Sequence, residues 1–188
     1  MNKNDIATLN IYVGPMYAGK STKLIKLFHD LIEKKQNVCV LTHSDENRYS
    51  HHKLSTHNKE QINCKKYKTI ESFKNNESKT FETINHILID EAQFFTDLNM
   101  CLEFVEKMNI HVSVFGLDAD FQRNKFGKIV DLIPYCDHFE KLKGSCVVCG
   151  LPSLFSHRKV NIKEQVLIGK NDIYEPLCRS CFLEKSNK

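Results

Sequence analysis

An eight-residue segment near the amino terminus constrains the fold more than any other part of the chain. Residues 14–21, GPMYAGKS, fit the pattern G-x-x-x-x-G-K-[ST] of a phosphate-binding loop. An apolar run, Leu9 to Val13, precedes the segment, and a helical pattern begins near Lys20. In such a loop, backbone N–H groups close around a polyphosphate at the positive end of a helix. An incidental turn is the alternative, but strand and helix lie where the motif requires them.

The loop predicts binding of a nucleoside triphosphate together with Mg²⁺. Gly14 and Gly19 allow backbone angles and close approaches that a Cβ atom would block. Lys20 is expected to meet the β- and γ-phosphates, and Ser21 to ligate Mg²⁺. The ATP- and magnesium-binding residues predicted here are Gly14, Pro15, Met16, Tyr17, Ala18, Gly19, Lys20, Ser21 and Thr22.

Length and composition indicate one medium domain with room for a small appendage. The chain has 188 residues, 41% of them hydrophobic, which is enough for a buried core. A net charge of +4 suits phosphate ligands but is too diffuse to predict nucleic-acid binding. The polar amino terminus, and the lack of an apolar stretch of about 20 residues, predict no membrane contact and a cytoplasmic location. Eight cysteines without a secretory signal fit a reducing compartment.

The other apolar runs alternate with helical patterns, which is typical of a parallel α/β fold. Val38 to Leu41, His86 to Ile89 and Ile110 to Leu117 are predicted strands. Residues Thr42 to Asn63 are polar without a helical period, so we expect a long surface loop there. Apolar residues at helical spacing predict a first helix with one buried face and a second helix before the strand at Ile110. These residues are Leu24, Ile25, Leu27, Phe28, Leu31 and Ile32 in the first helix, and Leu98, Cys101, Leu102, Val105 and Met108 in the second.

The pattern changes after about Leu142, where a compact second unit is expected. Between two cysteine pairs, apolar residues spaced by two predict the strands of a hairpin. The last residues, Glu184 to Lys188, are expected to form a disordered tail. We therefore divide the chain into a P-loop domain at residues 1–141 and a second unit at 142–188. The apolar residues of the predicted hairpin are Val160, Ile162, Val166 and Ile168.

Two carboxylates stand at the end of the predicted strand that begins at His86. Asp90 would hold Mg²⁺ through its water shell, and Glu91 can reach a nucleophile as general base. Metal binding keeps Asp90 ionised, whereas Glu91 stays free to accept a proton. Acidic residues also commonly cap the ends of strands, but the loop at Lys20 favours the catalytic interpretation.

Four cysteines in two C-x-x-C pairs predict a structural zinc site. The pairs are Cys146 with Cys149 and Cys178 with Cys181, and 28 residues separate them. Four thiolates complete a tetrahedral Zn²⁺ shell and leave no position open for substrate. A redox dithiol or two disulfides are the alternatives, which the nearby turn residues disfavour.

Further candidates are an aromatic pair and one arginine. Phe121 and Phe126 follow the strand that ends near Leu117 and could sandwich a base, although core packing is the commoner role of phenylalanine. Arg48 could lend charge to a transferring phosphoryl group, although a solvated arginine is the default interpretation.

Together these motifs resemble the zinc-containing (type II) thymidine kinases from about Leu9 to Phe182. The resemblance implies a RecA-like P-loop domain with a mainly parallel sheet, plus a small zinc-ribbon and lasso domain. It also implies transfer of phosphate from ATP to the 5′-hydroxyl of thymidine or deoxyuridine, a homotetramer, and dTTP as feedback inhibitor. The matching segments are Gly14 to Thr22, Arg48-Tyr49, Asp90 to Phe95, Leu117 to Gln122, Ile168-Gly169 through Asp172 and Tyr174, and the two cysteine pairs.

The resemblance also implies residue roles. Glu91 accepts the proton, Lys20 and Arg48 act on the phosphoryl group, and Gln93 joins the ATP and Mg²⁺ site. Phe121 stacks on thymine, and backbone groups from Gln165 to Gly169 meet the base. The implied substrate-binding residues are Met16, Leu117, Phe121, Phe126, Gln165, Val166, Leu167, Ile168, Gly169 and Tyr174.

Thymine differs from cytosine by an N3–H donor, which a backbone carbonyl can accept. A buried carbonyl left unpaired by cytosine costs about 1 to 3 kcal/mol, which favours thymine or uracil bases. One departure from the family concerns Glu46, which stands where the family usually has Asp, with Asp45 immediately before it. Which carboxylate assists Mg²⁺ and Arg48 is therefore left open.

Two other functions compete with this interpretation. The segment Asp90-Glu91-Ala92-Gln93 also resembles a helicase box, which would make the chain an ATPase stimulated by nucleic acid, but its length leaves no room for a second such domain. A protein-binding zinc ribbon on a degenerate ATP domain is the other, which intact Lys20, Ser21, Asp90 and Glu91 disfavour.

Overall fold

Strands and helices alternate along the chain, for which a computed structural model describes residues 6–44, 53–55, 61–167 and 172–186. The strands are β1 (Leu9–Val13), β2 (Val38–His43), β3 (Lys53–Ser55), β4 (Gln61–Asn63), β5 (Lys65–Tyr67), β6 (His86–Asp90), β7 (His111–Gly116), β8 (His138–Lys141), β9 (Gly144–Ser145), β10 (Pro152–Ser153), β11 (Phe155–Arg158) and β12 (Tyr174–Leu177). The α-helices are α1 (Lys20–Glu33), α2 (Ile70–Asn76), α3 (Ser78–Phe81), α4 (Cys101–Glu106) and α5 (Arg179–Ser186), and 3₁₀ helices lie at Ala92–Phe94, Leu98–Met100 and Ile129–Tyr135.

Six strands form one sheet in the order β5-β2-β6-β7-β1-β8, and every pairing within it is parallel. The prediction of a parallel α/β fold is therefore confirmed. Because the strands run the same way, their carboxyl ends share one edge, where ligands of such sheets bind. The phosphate loop after β1, Asp90 of β6 and Gly116 of β7 all lie at this edge.

Apolar side chains cover both faces of the sheet, which explains the continuous apolar runs in its strands. On β6, Ile87 and Ile89 pack into one cluster with Phe104 of α4. Leu88 points to the other face and packs with Leu24 of α1. Burial of each such side chain stabilises the fold by about 1.5 to 3 kcal/mol, so the edge that carries the polar residues stands on a rigid base.

The prediction of a surface loop from Thr42 to Asn63 is wrong in part. Strand β2 continues through His43, and β3 pairs with β4 as an antiparallel hairpin. Leu54 and Ile62 on this hairpin are only 1% and 5% exposed and pack on the α1 side of the sheet. Each of these three-residue strands has a single inward-facing apolar residue, too short a run to show a period of two.

The second unit also differs from expectation. Its hairpin consists of β11 and β12, which pair Phe155 with Leu177. Val160, Ile162 and Val166 lie in no strand and are exposed, while Ile168 is outside the described residues. The apolar residues that predicted the hairpin belong instead to the segment between its strands.

Helix ends account for the remaining corrections. Glu184 to Ser186 belong to α5 and not to a disordered tail, because buried Cys181 and Phe182 fix that helix against the cysteine cluster. Ile32 is 46% exposed, so the buried face of α1 ends at Leu31. The pattern from Leu98 to Met108 is split into a 3₁₀ turn and α4, which ends at Glu106. No helix in the described parts of the chain combines the length and apolar character needed to cross a membrane.

Candidate active site

The phosphate loop has the backbone shape that its motif requires. Gly14 and Gly19 have φ angles of +152° and +79°, and Tyr17 also has a positive φ of 65°. A Cβ atom on Gly14 would lie 2.5 Å from the carbonyl oxygen of Leu142, so the loop and the residue after β8 approach closely there. A Cβ atom on Gly19 would have no other atom within 4 Å, so glycine is favoured there only by the positive φ angle.

The ammonium group of Lys20 lies over this loop. Its Nζ donates hydrogen bonds to the carbonyl oxygens of Pro15, at 2.8 Å, and Gly14, at 3.1 Å. Lys20 is also the first residue of α1, where the helix dipole adds positive potential. The charge of the side chain and the positive end of the helix therefore lie at one place, and this suits a phosphate group.

A hydrogen bond between Ser21 and Asp90 joins the phosphate loop to the end of β6. Ser21 Oγ donates to Asp90 Oδ2 at 3.2 Å, and Asp90 is buried. Oxygen ligands at this junction are the type that Mg²⁺ prefers. The two side chains thus fit a magnesium ion bound beside the phosphates, as the sequence predicts.

Glu91 is held by Gln93. Glu91 has a left-handed backbone, with φ 52°, at the turn between β6 and the following 3₁₀ helix. Gln93 Nε2 donates to Glu91 Oε2 at 2.6 Å, and Gln93 Oε1 accepts from the N–H of Leu117 at 3.0 Å. These two contacts of Gln93, a residue that the resemblance places with ATP and Mg²⁺, join the proposed base to the residue that follows β7.

The loop of residues 117–128 after β7, which we call the aromatic loop, is organised by Asp120. This buried carboxylate accepts hydrogen bonds from the backbone N–H groups of Gln122 and Asn124, both at 2.9 Å. Its second oxygen accepts from the side-chain amide of Gln165, also at 2.9 Å. The aromatic loop is thereby tied to residues 159–167, the segment after β11 that we call the strap.

The two aromatic residues of this loop have different surroundings. Phe126 is buried and packs edge-on against Phe94, with ring centroids 5.6 Å apart. Phe121 is partly buried, and the guanidinium carbon of Arg158 lies 3.7 Å from its ring centroid. Phe126 therefore packs in the protein interior, whereas Phe121 stacks against Arg158, the last residue of β11 before the strap.

Tyr174 and Arg158 hold the strap from the hairpin beneath it. Tyr174 OH donates to the carbonyl oxygen of Leu167 at 3.0 Å and accepts from Arg158 at 2.6 Å. Val166 is exposed on the strap. The family resemblance named Tyr174, whereas the sequence analysis assigned no role to Arg158 or Asp120. An arginine between His157 and Lys159 looks solvated, and no periodicity predicts its burial.

The phosphate loop also rests on the second unit. The backbone N–H of Met16 donates to Ser156 Oγ of β11 at 2.8 Å. A Cβ atom on Gly144 would lie 2.7 Å from the carbonyl oxygen of Tyr17. The structure therefore brings the phosphate loop, the aromatic loop and the strap together at one end of the molecule.

The four predicted zinc ligands form one cluster. The Sγ atoms of Cys146, Cys149, Cys178 and Cys181 lie within 4.8 Å of one another, and all are free thiols. In a tetrahedral site with zinc–sulfur bonds of about 2.3 Å, the sulfurs are about 3.8 Å apart, so the cluster fits Zn²⁺. Burial alone would raise the pKa of Cys146, but hydrogen bonds from backbone N–H groups lower it, whereas hydrogen bonds with the other thiols and burial raise the pKa of Cys181.

Some predicted residues lie outside the described part of the chain. They are Arg48 with its neighbours Asp45 and Glu46, and the strap's continuation at Ile168 and Gly169.

The parallel sheet, the phosphate loop and the acidic strand end together define a P-loop nucleotide-binding protein with a cysteine cluster that fits zinc. A sequence model of the thymidine kinase family matches residues 7–182. The chain belongs to the thymidine kinase family and is an enzyme of that kind.

Individual relatives agree with this assignment. A thymidine kinase of Oryza sativa subsp. japonica is 35% identical over 179 residues, or 94% of this chain, which spans 66% of the rice protein. One from Bacteroides thetaiotaomicron is 34% identical over 177 residues, covering 93% of this chain and 86% of the relative. One from Amsacta moorei entomopoxvirus is 33% identical over 183 residues, covering 93% and 97%.

Proposed function

We propose that this chain transfers the γ-phosphate of ATP to the 5′-hydroxyl of thymidine or deoxyuridine, producing dTMP or dUMP and ADP for nucleotide salvage and DNA synthesis. One observation carries the proposal. The hydrogen bond from Ser21 to Asp90 sets the end of β6 against the phosphate loop, and Glu91 follows directly on that strand end. A general base therefore stands next to the place that suits a triphosphate.

ATP would bind with its phosphates in the loop of residues 14–22. Lys20 neutralises charge on the β- and γ-phosphates, because its ammonium group already lies over the loop. Ser21 and Asp90 would hold Mg²⁺, which would supply positive charge beside the phosphates. Arg48 is proposed as a further cation at this step, with Asp45 or Glu46 as its acidic neighbour.

Glu91 would act as the base. Its carboxylate takes the proton of the 5′-hydroxyl while the sugar oxygen forms a bond to the γ-phosphorus, and the bond to the β–γ bridging oxygen breaks to release ADP. The hydrogen bond from Gln93 occupies one carboxylate oxygen, Oε2.

The nucleoside would lie between the aromatic loop and the strap. Phe121 stacks on the base, and Met16, Leu117 and Phe126 line the pocket. Backbone groups of residues 165–169 meet the thymine edge, and Tyr174 closes the site. The tie between Asp120 and Gln165 supports this arrangement, because it holds the two segments together. A base without the N3–H donor would leave a carbonyl unpaired.

The remaining proposals concern assembly and control. Zn²⁺ has a structural role, since four thiolates fill its coordination shell. We further propose a homotetramer that works in the cytoplasm and is inhibited by dTTP, following the family resemblance.

Phosphate transfer from γ-labelled ATP, measured across the common nucleosides, tests the function. We expect labelled dTMP from thymidine and much less product from cytidine nucleosides. Glu91→Gln should lower kcat by about 100-fold or more, because general-base catalysis commonly contributes 10²- to 10⁴-fold. The matched control is Glu103→Gln, because Glu103 lies on α4 and forms a partly exposed ion pair with Lys74 of α2. Parent activity in folded, zinc-loaded Glu91→Gln, or ATP hydrolysis stimulated by single-stranded DNA without a nucleoside, would refute the proposal.

A further inference from the structure

We propose that Arg158 is a positioning residue that sets nucleoside affinity and base selectivity, because one buried guanidinium fixes both the strap and Phe121. The inference rests on the proposed function for its substrate. Its first support is the burial of the charge, since Arg158 is only 6% exposed. A buried cation is costly unless its donors are satisfied, so the surroundings of Arg158 must be arranged around it.

The hydrogen bonds of Arg158 converge on the strap. Nη1 donates to the carbonyl oxygens of Ile162, at 2.8 Å, and Glu164, at 2.5 Å. Nη2 donates to the carbonyl oxygen of Gln165 at 3.0 Å and to Tyr174 OH at 2.6 Å. Nε is buried and has no partner among the described residues. Four of the five N–H donors of the guanidinium therefore hold neutral oxygens, three of them strap carbonyls.

These contacts fix which way the strap peptides face. In a trans peptide the C=O and N–H bonds point in opposite directions. Carbonyls turned toward Arg158 therefore turn the N–H groups of Lys163, Gln165 and Val166 away from it. Thymine and uracil present two carbonyl oxygens that require donors, whereas cytosine presents an amino group in place of one of them. A strap held in this orientation supplies donors and so favours the bases with two carbonyls.

The same guanidinium fixes the orientation of Phe121. With its carbon 3.7 Å from the ring centroid, it covers one face of the ring. A base can then stack only on the opposite face. Arg158 thereby sets the plane of the ring relative to the strap. The hydrogen bond from Gln165 to Asp120 is a second link between the strap and the aromatic loop. Ring and strap form one preorganised frame, which lowers the ordering cost of binding.

Three substitutions test this inference. In Arg158→Ala and Arg158→Lys, we expect KM for thymidine to rise about tenfold or more, because several hydrogen bonds to a charged group are lost. Lysine carries a point charge without the planar fork, so it should not restore the parent value. KM for ATP should stay within about twofold. The preference for thymidine over deoxycytidine in kcat/KM should fall. Tyr174→Phe, which removes one partner of Arg158, should shift these values in the same direction but less.

Trypsin cleavage gives a second readout that does not depend on activity. Lys159 and Lys163 are exposed on the strap, and cleavage after them, identified by mass spectrometry, should accelerate in Arg158→Ala. The matched control is Arg179→Ala, because Arg179 also lies over an aromatic ring, Phe155, but is exposed and belongs to α5. We expect parent cleavage rates and parent KM values in the control.

Each outcome separates the inference from the proposed function. If the parent protein does not phosphorylate thymidine, the proposed function fails, while strap cleavage still reports on Arg158. Unchanged cleavage in Arg158→Ala overturns the inference even if the parent enzyme is active. A second result would also overturn the inference. If Arg158→Ala keeps its zinc and its base selectivity while KM rises equally for ATP and thymidine, the substitution has loosened the structure in general.

Discussion

The side-chain amide of Gln93 bridges Glu91 and the backbone of Leu117, with hydrogen bonds of 2.6 Å and 3.0 Å. Gln93 is itself buried, and both ends of its amide are used. The carboxylate that follows β6 is therefore oriented from the end of the neighbouring strand β7. Since Leu117 begins the aromatic loop, the position of the proposed base is coupled to the position of the nucleoside loop.

Replacing Gln93 with glutamate should raise the pKa of Glu91. The new carboxylate would lie beside the first, and two like charges at that distance oppose ionisation of both. We expect the rising limb of the pH profile of kcat to move to higher pH, and kcat at neutral pH to fall. Gln61→Glu, at an exposed position of strand β4, is the matched control. A parent pH profile in Gln93→Glu would show that the amide does not set the charge of Glu91.

Gly127→Ala should be more destabilising than an ordinary glycine substitution. A Cβ atom there would lie 2.1 Å from the carbonyl oxygen of Gln93, and φ is +63°. Gly150 has a similar φ of +74° but nothing within 4 Å, so Gly150→Ala isolates the backbone strain. We expect about 1 to 2 kcal/mol for Gly150→Ala and a larger loss for Gly127→Ala, measured by denaturant unfolding of the zinc-loaded protein. Equal losses would contradict the close approach to Gln93.

Acid should destabilise the protein through the histidine pair His86 and His111. Their rings stack 4.6 Å apart at the amino ends of β6 and β7. Burial, with the neighbouring His111, lowers the pKa of His86 to about 4 from 6.5. The unfolded chain therefore binds the proton more tightly than the folded chain. Stability is complete above pH 6.5 and is lost as pH falls from there through about 4.

Unfolding free energies measured between pH 4 and 7 check this expectation. The contribution of His86 is on the order of 1 to 2 kcal/mol, because the half-buried ring keeps some solvent screening. His86→Gln should flatten the pH dependence, whereas His29→Gln, on the exposed face of α1, should leave it unchanged. An unchanged slope in His86→Gln would contradict the assignment.

Removal of zinc should weaken nucleoside binding more than ATP binding. Phe182 and Phe155 pack with the cysteine cluster, and the guanidinium of Arg123, on the aromatic loop, lies 5.0 Å and 5.7 Å from their ring centroids. Loss of the metal would loosen these rings and with them the aromatic loop. A chelator should therefore raise KM for thymidine by a larger factor than KM for ATP, in parallel with zinc content.

Cysteine variants provide the comparison for the zinc prediction. Cys146→Ser should abolish stoichiometric zinc, whereas Cys136→Ser should retain it, because the Cys136 thiol bonds the carbonyl of Ile133 outside the cluster. A zinc-free protein with unchanged KM for thymidine would refute the coupling.

The features that the sequence predicted share a strong local signal. The strand at Leu9–Val13 and the start of α1 at Lys20 flank a glycine-rich pattern whose geometry follows from sterics. The cysteine pairs are equally local, since each C-x-x-C already brings two ligands together. Strand β6 was visible as a continuous apolar run. In each case the information lies within a few consecutive residues.

The features that were missed depend on partners distant in sequence. Arg158 is buried only because the strap folds back over it, and Asp120 meets Gln165 across 45 positions. The hairpin of β3 and β4 is stabilised by burying Leu54 and Ile62 against α1, which no local pattern reports. Tertiary packing therefore overrides weak local preference at these positions.

The hydrogen bond from the Met16 amide to Ser156 has a consequence for protein engineering. Together with the close approach of Gly14 to Leu142, it makes the donor pocket depend on residues that follow the main sheet. A chimera that joins residues 1–141 to the carboxyl-terminal unit of a relative would have to keep a hydroxyl at position 156 and the same backbone path at 142. Chimeras that lack these contacts should lose phosphate-donor affinity, even where every residue of the phosphate loop is retained.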